Sequence, residues 1–344
     1  MRAAIINPYL DTLGGGERYT LSFAKALVDL GYDVDLEWKS PNIITKLENR
    51  FGLDLGKINV RPNLKRGEGY DLCFWVSDGS IPTLRSRRNI LHFQVPFHSV
   101  NGKTLLNRMK LIRVEKIICN SKFTKRIVDR EYGFKSIVVY PPVDTEQFKP
   151  KRKENIILYV GRFSTLKQSK GQDTLIKAFK KIVDAGNDEW RLILAGGAEV
   201  GTGDYLNKLK KSIKDYPVEI IKSPDFNKIK EYYGKAKIYW SASGHGIDEV
   251  KEPEKVEHFG ITVTEAMSAG CVPIIYKAGG HKEIIVDGEN GFLWDNTRRL
   301  IAVTKKIITD SKSMYAIGRQ AMVDSRQFGL NKFNKRVKEI IKQN

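Results

Sequence analysis

Ala3-Ala4-Ile5-Ile6-Asn7 is a short apolar run, and Asp33-Val34-Asp35-Leu36-Glu37-Trp38 is another; what lies between them decides the fold class. A loop carrying Gly14-Gly15-Gly16 comes first, then Glu17–Leu30. In that segment Phe23, Leu27 and Leu30 recur at +4 and +7, and Leu21, Ala24 and Val28 at +3 and +7; both are helical periods. Gly31 stands where a helix C-cap glycine belongs. The stretch reads strand, glycine loop, helix, strand.

The rhythm continues in both directions. Strand-like runs follow at Tyr70–Val76, Asn89–Gln94, Lys116–Asn120 and Ile137–Tyr140. Tyr140-Pro141-Pro142-Val143-Asp144 and the charged stretch Lys149–Glu154 read as a linker, after which the pattern restarts. Strands are expected at Ile156–Val160, Arg191–Ala195, Val218–Ile221, Ile238–Ser241 and Cys271–Tyr276. Helices are expected at Gln172–Ala185, Asp204–Lys214, Asn227–Lys235 and Thr262–Ala269, with more beyond Asp295. Strands alternating with helices mean α/β, with parallel, doubly wound sheets. Two such units in tandem would face each other across a cleft, with ligands at the carboxyl ends of the strands.

Composition agrees with two folded domains. The chain has 344 residues, 41% of them hydrophobic, which excludes wholesale disorder. Its net charge is +19. Residues 1–150 hold 24 Lys/Arg against 16 Asp/Glu, a net of +8, and the remainder carries the other +11, so the excess is no detachable tail. Such a charge suits anionic partners: phosphorylated small molecules, acidic membranes or nucleic acid. Cys73, Cys119 and Cys271 form no CxxC pair, so neither a disulfide framework nor a cysteine zinc site is expected. The N-terminus lacks a signal-peptide layout, and no apolar run approaches the roughly 18 residues of a bilayer span. The expectation is a soluble, cytoplasmic chain, with peripheral membrane contact left open.

Three segments could carry chemistry. Gly14, Gly15 and Gly16 at the start of a helix would let backbone N–H groups approach a phosphate; a plain flexible turn is the alternative. Val160-Gly161-Arg162-Phe163-Ser164, followed by Lys167, Lys170 and Gly171, would place Arg162 and a lysine on a diphosphate; two solvated cations are the alternative. The most informative segment runs from Glu257-His258-Phe259-Gly260-Ile261-Thr262 through Glu265 to Gly270. A helix starting near Ile261 or Thr262 would hold a phosphate at its N-terminus, flanked by two carboxylates able to accept sugar hydroxyls. Thr262-x-x-Glu265 also matches a capping box, which needs no ligand.

The Glu257 to Glu265 segment resembles the E-x7-E signature of the retaining glycosyltransferases of family four. The resemblance extends in order along nearly the whole chain: Gly14-Gly15-Gly16-Glu17, Asn120-Ser121-Lys122-Phe123-Thr124, Tyr140-Pro141-Pro142-Val143-Asp144, Gly161-Arg162 with Lys170-Gly171, Ala195-Gly196-Gly197, and Ala278-Gly279-Gly280-His281-Lys282-Glu283. Leu91-His92-Phe93-Gln94-Val95-Pro96 and Glu257-His258-Phe259-Gly260-Ile261 look most like the mannosyltransferases that extend lipid-linked oligosaccharides.

The resemblance implies the GT-B architecture, two Rossmann-like domains of which the second binds the nucleotide sugar. It implies that the C-terminal helix, with Phe333, Val337, Ile340 and Ile341 on one side, returns to the first domain. The domains would then be 1–148 plus about 328–344, and 149–327. It implies retention of anomeric configuration, no metal, and no cofactor beyond the nucleotide-sugar co-substrate, possibly GDP-mannose. Glu257 would hold the donor sugar and Glu265 the ribose. Gly161, Phe259, Gly260, Ile261 and Thr262 would line the donor site, Arg162 and Lys170 would take the diphosphate, and Gly14–Gly16 would serve the acceptor side. His92 would face the cleft and touch the donor sugar, with His98 a nearby competitor.

Two departures stand out. Gln168-Ser169 precede Lys170 where the family has an acidic residue, so Lys167 is a rival to Lys170. The charged stretch Gly244–Val256 has no assigned role. Lys103–Lys116 mixes cations with Leu105, Leu106, Met109, Leu111 and Ile112, as either a membrane-surface helix or a sheet-covering one with a basic face. Competing functions are a nucleic-acid-modifying or nucleic-acid-binding protein, for which no helix-turn-helix, zinc-finger or RNP-type motif is present, and a nucleotide-sugar epimerase of the same fold.

Overall fold

The computed structural model describes residues 1–12, 14–164, 170–198 and 201–342. They form two compact units, Met1–Pro142 with Leu330–Asn344, and Val143–Gly329. The divisions fall at 142/143 and 329/330, against the expected 148/149 and 327/328.

Unit 1 contains strands β1 (Arg2–Ile6), β2 (Asp33–Glu37), β3 (Ile58–Arg61), β4 (Leu72–Val76), β5 (Arg88–Phe93), β6 (Lys116–Cys119) and β7 (Ile137–Val138). Its first four helices are α1 (Gly15–Asp29), α2 (Ile43–Phe51), α3 (Leu105–Leu111) and α4 (Lys122–Tyr132). The strands are parallel and ordered β3-β2-β1-β4-β5-β6-β7, so the winding reverses between β1 and β4. Strand alternation sorts the side chains onto two faces. Ala3, Ile5, Val34, Leu36, Leu72, Phe74 and Ile90 pack with α1 and α2. On the other face Leu91, Phe93, Ile117 and Cys119 pack with Val128 and Tyr132 of α4, while Ala4, Ile6 and Cys73 meet Leu64, Tyr70 and Leu84 from coil connections.

Unit 2 contains β8 (Glu154–Val160), β9 (Arg191–Gly196), β10 (Val218–Lys222), β11 (Ala236–Ser241), β12 (Val272–Tyr276) and β13 (Phe292–Trp294). Its helices are α5 (Gln172–Val183), α6 (Gly203–Ser212), α7 (Phe226–Lys235), α8 (Ile261–Ser268), α9 (His281–Ile284), α10 (Thr297–Thr309) and α11 (Ser311–Ser325). The parallel sheet is ordered β10-β9-β8-β11-β12-β13, and its winding reverses between β8 and β11. That reversal is where doubly wound sheets bind ligands.

The last helix, α12 (Leu330–Lys342), belongs to unit 1. Phe333, Val337, Ile340 and Ile341 join the core on the α1 face, and Phe333 meets Tyr19 edge-on at 5.2 Å. Burying each such side chain contributes roughly 1.5–3 kcal/mol. Lys116 Nζ and Arg88 Nη1 donate to the carbonyls of Ile340 and Ile341 at 2.7 and 2.8 Å, which satisfies the helix's orphan C-terminal acceptors.

β3, β13, α2, α4 and α9 are additions to the expected elements. β3 and β13 are short edge strands, four and three residues long, and too few positions alternate there to register a period. Cys73, Cys119 and Cys271 are free and buried. Among the described residues no helix is long and apolar enough to cross a membrane.

Candidate functional site

In unit 2 the residues of interest gather at the carboxyl edge of the sheet. β8 ends at Val160, and Gly161 and Arg162 follow it. Gly161 N donates to Ala195 O at 2.9 Å and Phe163 N to Gly197 O at 2.8 Å, so the turn after β8 is pinned to the end of β9. A side chain at Gly161 would put its Cβ 2.2 Å from the Tyr159 hydroxyl, so only glycine fits this turn. Gln172, fully buried at the start of α5, donates to Arg162 O at 2.9 Å and accepts from the Tyr205 hydroxyl at 3.0 Å. The Arg162 side chain belongs to an exposed residue at this edge.

Lys170 Nζ lies 3.0 Å from Glu257 Oε2, with side chains 13% and 25% exposed. Burial pushes the Glu257 carboxyl up, but the charges of Lys170, His281 and His258 and the Lys170 hydrogen bond outweigh it and hold Glu257 well below the usual carboxylate range. Glu257 is an anion at neutral pH, an acceptor-only group suited to hydroxyls. Its backbone is fixed too: Gly280 N donates to Glu257 O at 2.8 Å. The neighbouring stretch 244–256 is tied down by Glu249, which accepts from Gly279 N at 2.8 Å and pairs with Lys282 at 2.5 Å. Lys167 lies outside the described residues.

α8 begins after Gly260, its N-cap residue. Val263 N and Thr264 N both turn back to Gly260 O, at 3.1 and 3.2 Å. Among the described residues the N–H groups of Ile261 and Thr262 have no backbone acceptor, so the positive end of the helix dipole is open. The Tyr239 hydroxyl sits 2.9 Å from Thr262 Oγ1 and 3.2 Å from Val160 O, linking the start of α8 to the end of β8. Phe259 is buried and meets Phe328 edge-on at 5.2 Å, so it supports the turn as a packing residue.

Glu265 is buried inside α8 and accepts from the Tyr233 hydroxyl at 3.0 Å. The capping-box reading of Thr262-x-x-Glu265 does not describe the structure. Thr262 is the second helical residue, not the N-cap, and the Tyr233 hydroxyl occupies a Glu265 oxygen.

In unit 1 the Gly14–Gly16 turn starts α1 after β1. Glu17 reaches back, accepting from Gly14 N at 2.6 Å and from the Thr12 hydroxyl at 2.8 Å. The Gly14 N–H, expected to hold a phosphate, is therefore spent on its own helix. At Gly16 a Cβ would lie 1.9 Å from Gln94 Oε1, so any larger residue would have to displace the Gln94 side chain. Gln94 Nε2 donates to Gly16 O at 3.0 Å, and Asn120 Nδ2 to Gln94 O at 2.9 Å, which binds the turns after β1, β5 and β6 together. Gly15 is exposed at this edge.

His92 requires a correction. The expectation is a strand-end residue that faces the cleft and touches the donor sugar, but His92 lies within β5 and is fully buried. Its ring stacks on Tyr19 at 4.1 Å and on Phe74 at 5.3 Å, and Nδ1–H donates to Ile118 O at 3.2 Å. Burial lowers its pKa to about 3, so the ring is neutral. The strand alternation that turns Leu91 and Phe93 toward α4 turns His92 into the α1 face. It is a core residue in this structure.

Sequence reasoning missed Tyr233, Tyr239, Tyr159 and Gln172. Tyr159 has a buried hydroxyl beside Gly161 with no hydrogen-bond partner among the described residues. Tyr159 and Tyr239 lie in apolar strand runs and Tyr233 on a charged helix, and nothing local announced that their hydroxyls converge on the site. His281 is buried next to Glu257, and its Nδ1–H donates to Tyr276 O at 2.9 Å.

Known proteins share this construction. The sequence profile described as "Glycosyl transferases group 1" matches residues 142–323. An uncharacterized glycosyltransferase of Methanocaldococcus jannaschii (MJ1178) is 24% identical over 363 aligned positions, covering 96% of this chain and 95% of the relative. A GDP-Man:Man(3)GlcNAc(2)-PP-Dol alpha-1,2-mannosyltransferase of Neurospora crassa is 25% identical over 264 positions, 65% of this chain but 44% of the relative, so the chain spans under half of that protein's length. The crystal structure of Anabaena Alr3699/HepE in complex with UDP and glucose aligns over 100% of both chains, with a TM-score of 0.75 at 19% identity. That likeness shows the fold: two Rossmann-like units of the GT-B type.

Proposed function

The chain belongs to the glycosyl transferases group 1 family, and from that premise we propose that it is a retaining glycosyltransferase that moves mannose from GDP-mannose to a lipid-linked or glycan acceptor without a metal ion. The observation that carries this reading is the Lys170–Glu257 pair at the carboxyl edge of a sheet that also presents the open start of α8. A nucleotide sugar needs both halves of such a site. Its diphosphate needs fixed positive charge, and its sugar needs acceptors for hydroxyls.

Arg162, Lys170 and the N–H groups of Ile261 and Thr262 take the diphosphate. As the glycosidic bond breaks, negative charge grows on the leaving diphosphate, and these donors stabilise it without reorganising. Glu257, held ionised by Lys170, accepts from the donor sugar's hydroxyls. Glu265, held by Tyr233, accepts from the ribose. Neither glutamate acts as a covalent nucleophile, so the scheme differs from a two-carboxylate glycosidase. The mannose and lipid-linked parts of the reading are supported by the name of the Neurospora relative and by the resemblance at Glu257–Ile261.

The test is a thermal-shift screen against GDP, UDP and ADP sugars, followed by turnover with and without added lipid extract. A donor at 100 times its dissociation constant stabilises by about 2.7 kcal/mol. GDP-mannose should give the largest shift, and turnover should require lipid extract. Turnover without any acceptor would point to an epimerase, and turnover that requires DNA would point to a nucleic-acid substrate; either overturns the reading.

A further inference from the structure

The face of the unit-1 sheet opposite α1 carries a surface outside the candidate site described above. α3 follows β5 on that side, capped by Thr104, whose hydroxyl accepts from Asn107 N at 3.3 Å. No residue of α3 is buried. Leu105, Leu106, Met109 and Ile112 are 75%, 60%, 60% and 84% exposed. Their spacing places them on one side of the helix, while Leu111 and Val114 pack against the sheet. The segment is therefore not an ordinary sheet-covering helix with a solvated outer face. Lys103, Arg108, Lys110 and Arg113 flank the apolar stripe, and no Asp or Glu occurs between Asn101 and Val114.

An open surface depression lies on the same face of the sheet. Two connections on this face, 62–70 and 77–87, are largely coil, and between them lies a space of about 480 Å³ lined by Lys65, Arg66, Arg85, Trp75, Glu37 and Glu68. Arg113 Nε donates to Leu84 O at 2.8 Å, which ties the end of α3 to the connection that carries Arg85. Both carboxylates are already engaged: Glu68 pairs with Arg85 at 3.3 Å, and Glu37 accepts from Leu64 N at 2.7 Å. The Lys65 and Arg66 side chains have no ion-pair partner among the described residues. Both residues sit at positive φ, 49° and 58°, where L side chains are strained. Strained backbone of this kind collects at ligand clamps.

We propose that this face docks on an anionic membrane, with the α3 stripe entering the lipid surface and the Lys65–Arg66–Arg85 pocket holding the phosphate of a lipid head group. The inference deepens the lipid-linked acceptor reading and rests on it for the presence of a membrane. Exposed long apolar side chains ringed by cations suit the boundary between acyl chains and phosphates.

The experiment is flotation of the full chain with phosphatidylcholine vesicles, with and without phosphatidylglycerol. Wild type should float only with the anionic vesicles and should be released by salt. Leu106→Glu with Ile112→Glu should abolish flotation with an unchanged melting temperature, since both positions are exposed. Arg66→Gly removes a cation and relieves the positive φ. It should weaken vesicle binding about fivefold, the usual effect of one surface cation, while the melting temperature stays or rises. A melting temperature that falls in Arg66→Gly with vesicle binding unchanged would make the strand–coil turn merely structural and overturn the pocket. Equal flotation with neutral vesicles, unchanged flotation of the α3 variant, self-association through α3 seen by light scattering, or binding of free glycerol phosphate without vesicle binding would each overturn the proposal. Transfer to a water-soluble acceptor keeps the two readings apart. Lost flotation in the variants with transfer retained supports docking, and wild-type flotation with no transfer from any nucleotide sugar fails the enzymatic reading alone.

Discussion

Lys170 Nζ lies 3.0 Å from Glu257 Oε2 although 87 positions separate the two residues in the chain. The pair joins two motifs that the sequence presents independently, Gly161-Arg162 with Lys170-Gly171 and the Glu257–Glu265 segment. Lys170→Ala should strand a carboxylate and cost stability, whereas Lys170→Ala with Glu257→Gln should restore part of it. Both groups keep some contact with solvent, so the single variant should cost about 1–3 kcal/mol, below the figure for a fully buried pair. Denaturant unfolding of the double-mutant cycle reads this directly; additive losses would mean the pair contributes nothing.

The pair also sets a pH limit. The Glu257 pKa is lowered on folding, so its contribution is present above the unfolded carboxyl value and is lost as pH falls through the folded one. Wild-type stability should therefore lose this contribution only in acid, and Glu257→Gln should lose that part of the acid slope. Melting temperatures from pH 7 downward, compared between the two proteins, measure it.

Arg162→Ala should lower turnover about 10²–10³-fold, the usual loss of one electrostatic donor to growing charge. Arg162→Lys should recover only part, because a point charge cannot copy a bidentate fork on a phosphate. Lys167→Ala should be much milder than Lys170→Ala. Activity should persist in EDTA. Loss in EDTA that Mg²⁺ or Mn²⁺ restores, with Arg162→Ala near wild type, would put a metal where these side chains have been placed.

Glu265→Ala should weaken donor binding tenfold to a hundredfold, since a hydrogen bond to a charged group is worth about 1.5–3 kcal/mol. Tyr233→Phe leaves the carboxylate in place and should act less severely. Isothermal titration with the nucleotide sugar separates the two. Wild-type donor affinity in Glu265→Ala, with only a lower melting temperature, would reduce Glu265 to a partner for Tyr233.

His92 titrates at about 3 in the folded chain, against an ordinary value near 6.5. The unfolded chain takes up the proton first, so stability should fall as pH drops from 6.5 toward 3, by at most about 1.4 kcal/mol per pH unit. His92→Phe keeps the stacking against Tyr19 and Phe74 and should flatten this component. An unchanged slope in the variant would assign the acid loss to other groups.

The sequence alone determined what depends on local pattern. Helical periods in 17–30 and short apolar runs ahead of glycine loops establish two parallel, doubly wound units, because these periods reflect which side of an element is buried. The residue types of Gly161, Arg162, Lys170, Glu257 and Glu265 were legible for the same reason: phosphates and hydroxyls demand donors, cations and carboxylates at set places. Only the tertiary structure decided what covers what. Strand alternation turns His92 into the core, the Tyr233 hydroxyl meets Glu265, and the apolar side of α3 is left open while that of α12 is sealed against α1. Periodicity marks the apolar side of α3 and of α12 alike. Whether that side finds a partner depends on chain segments far away in sequence, and no local pattern records them.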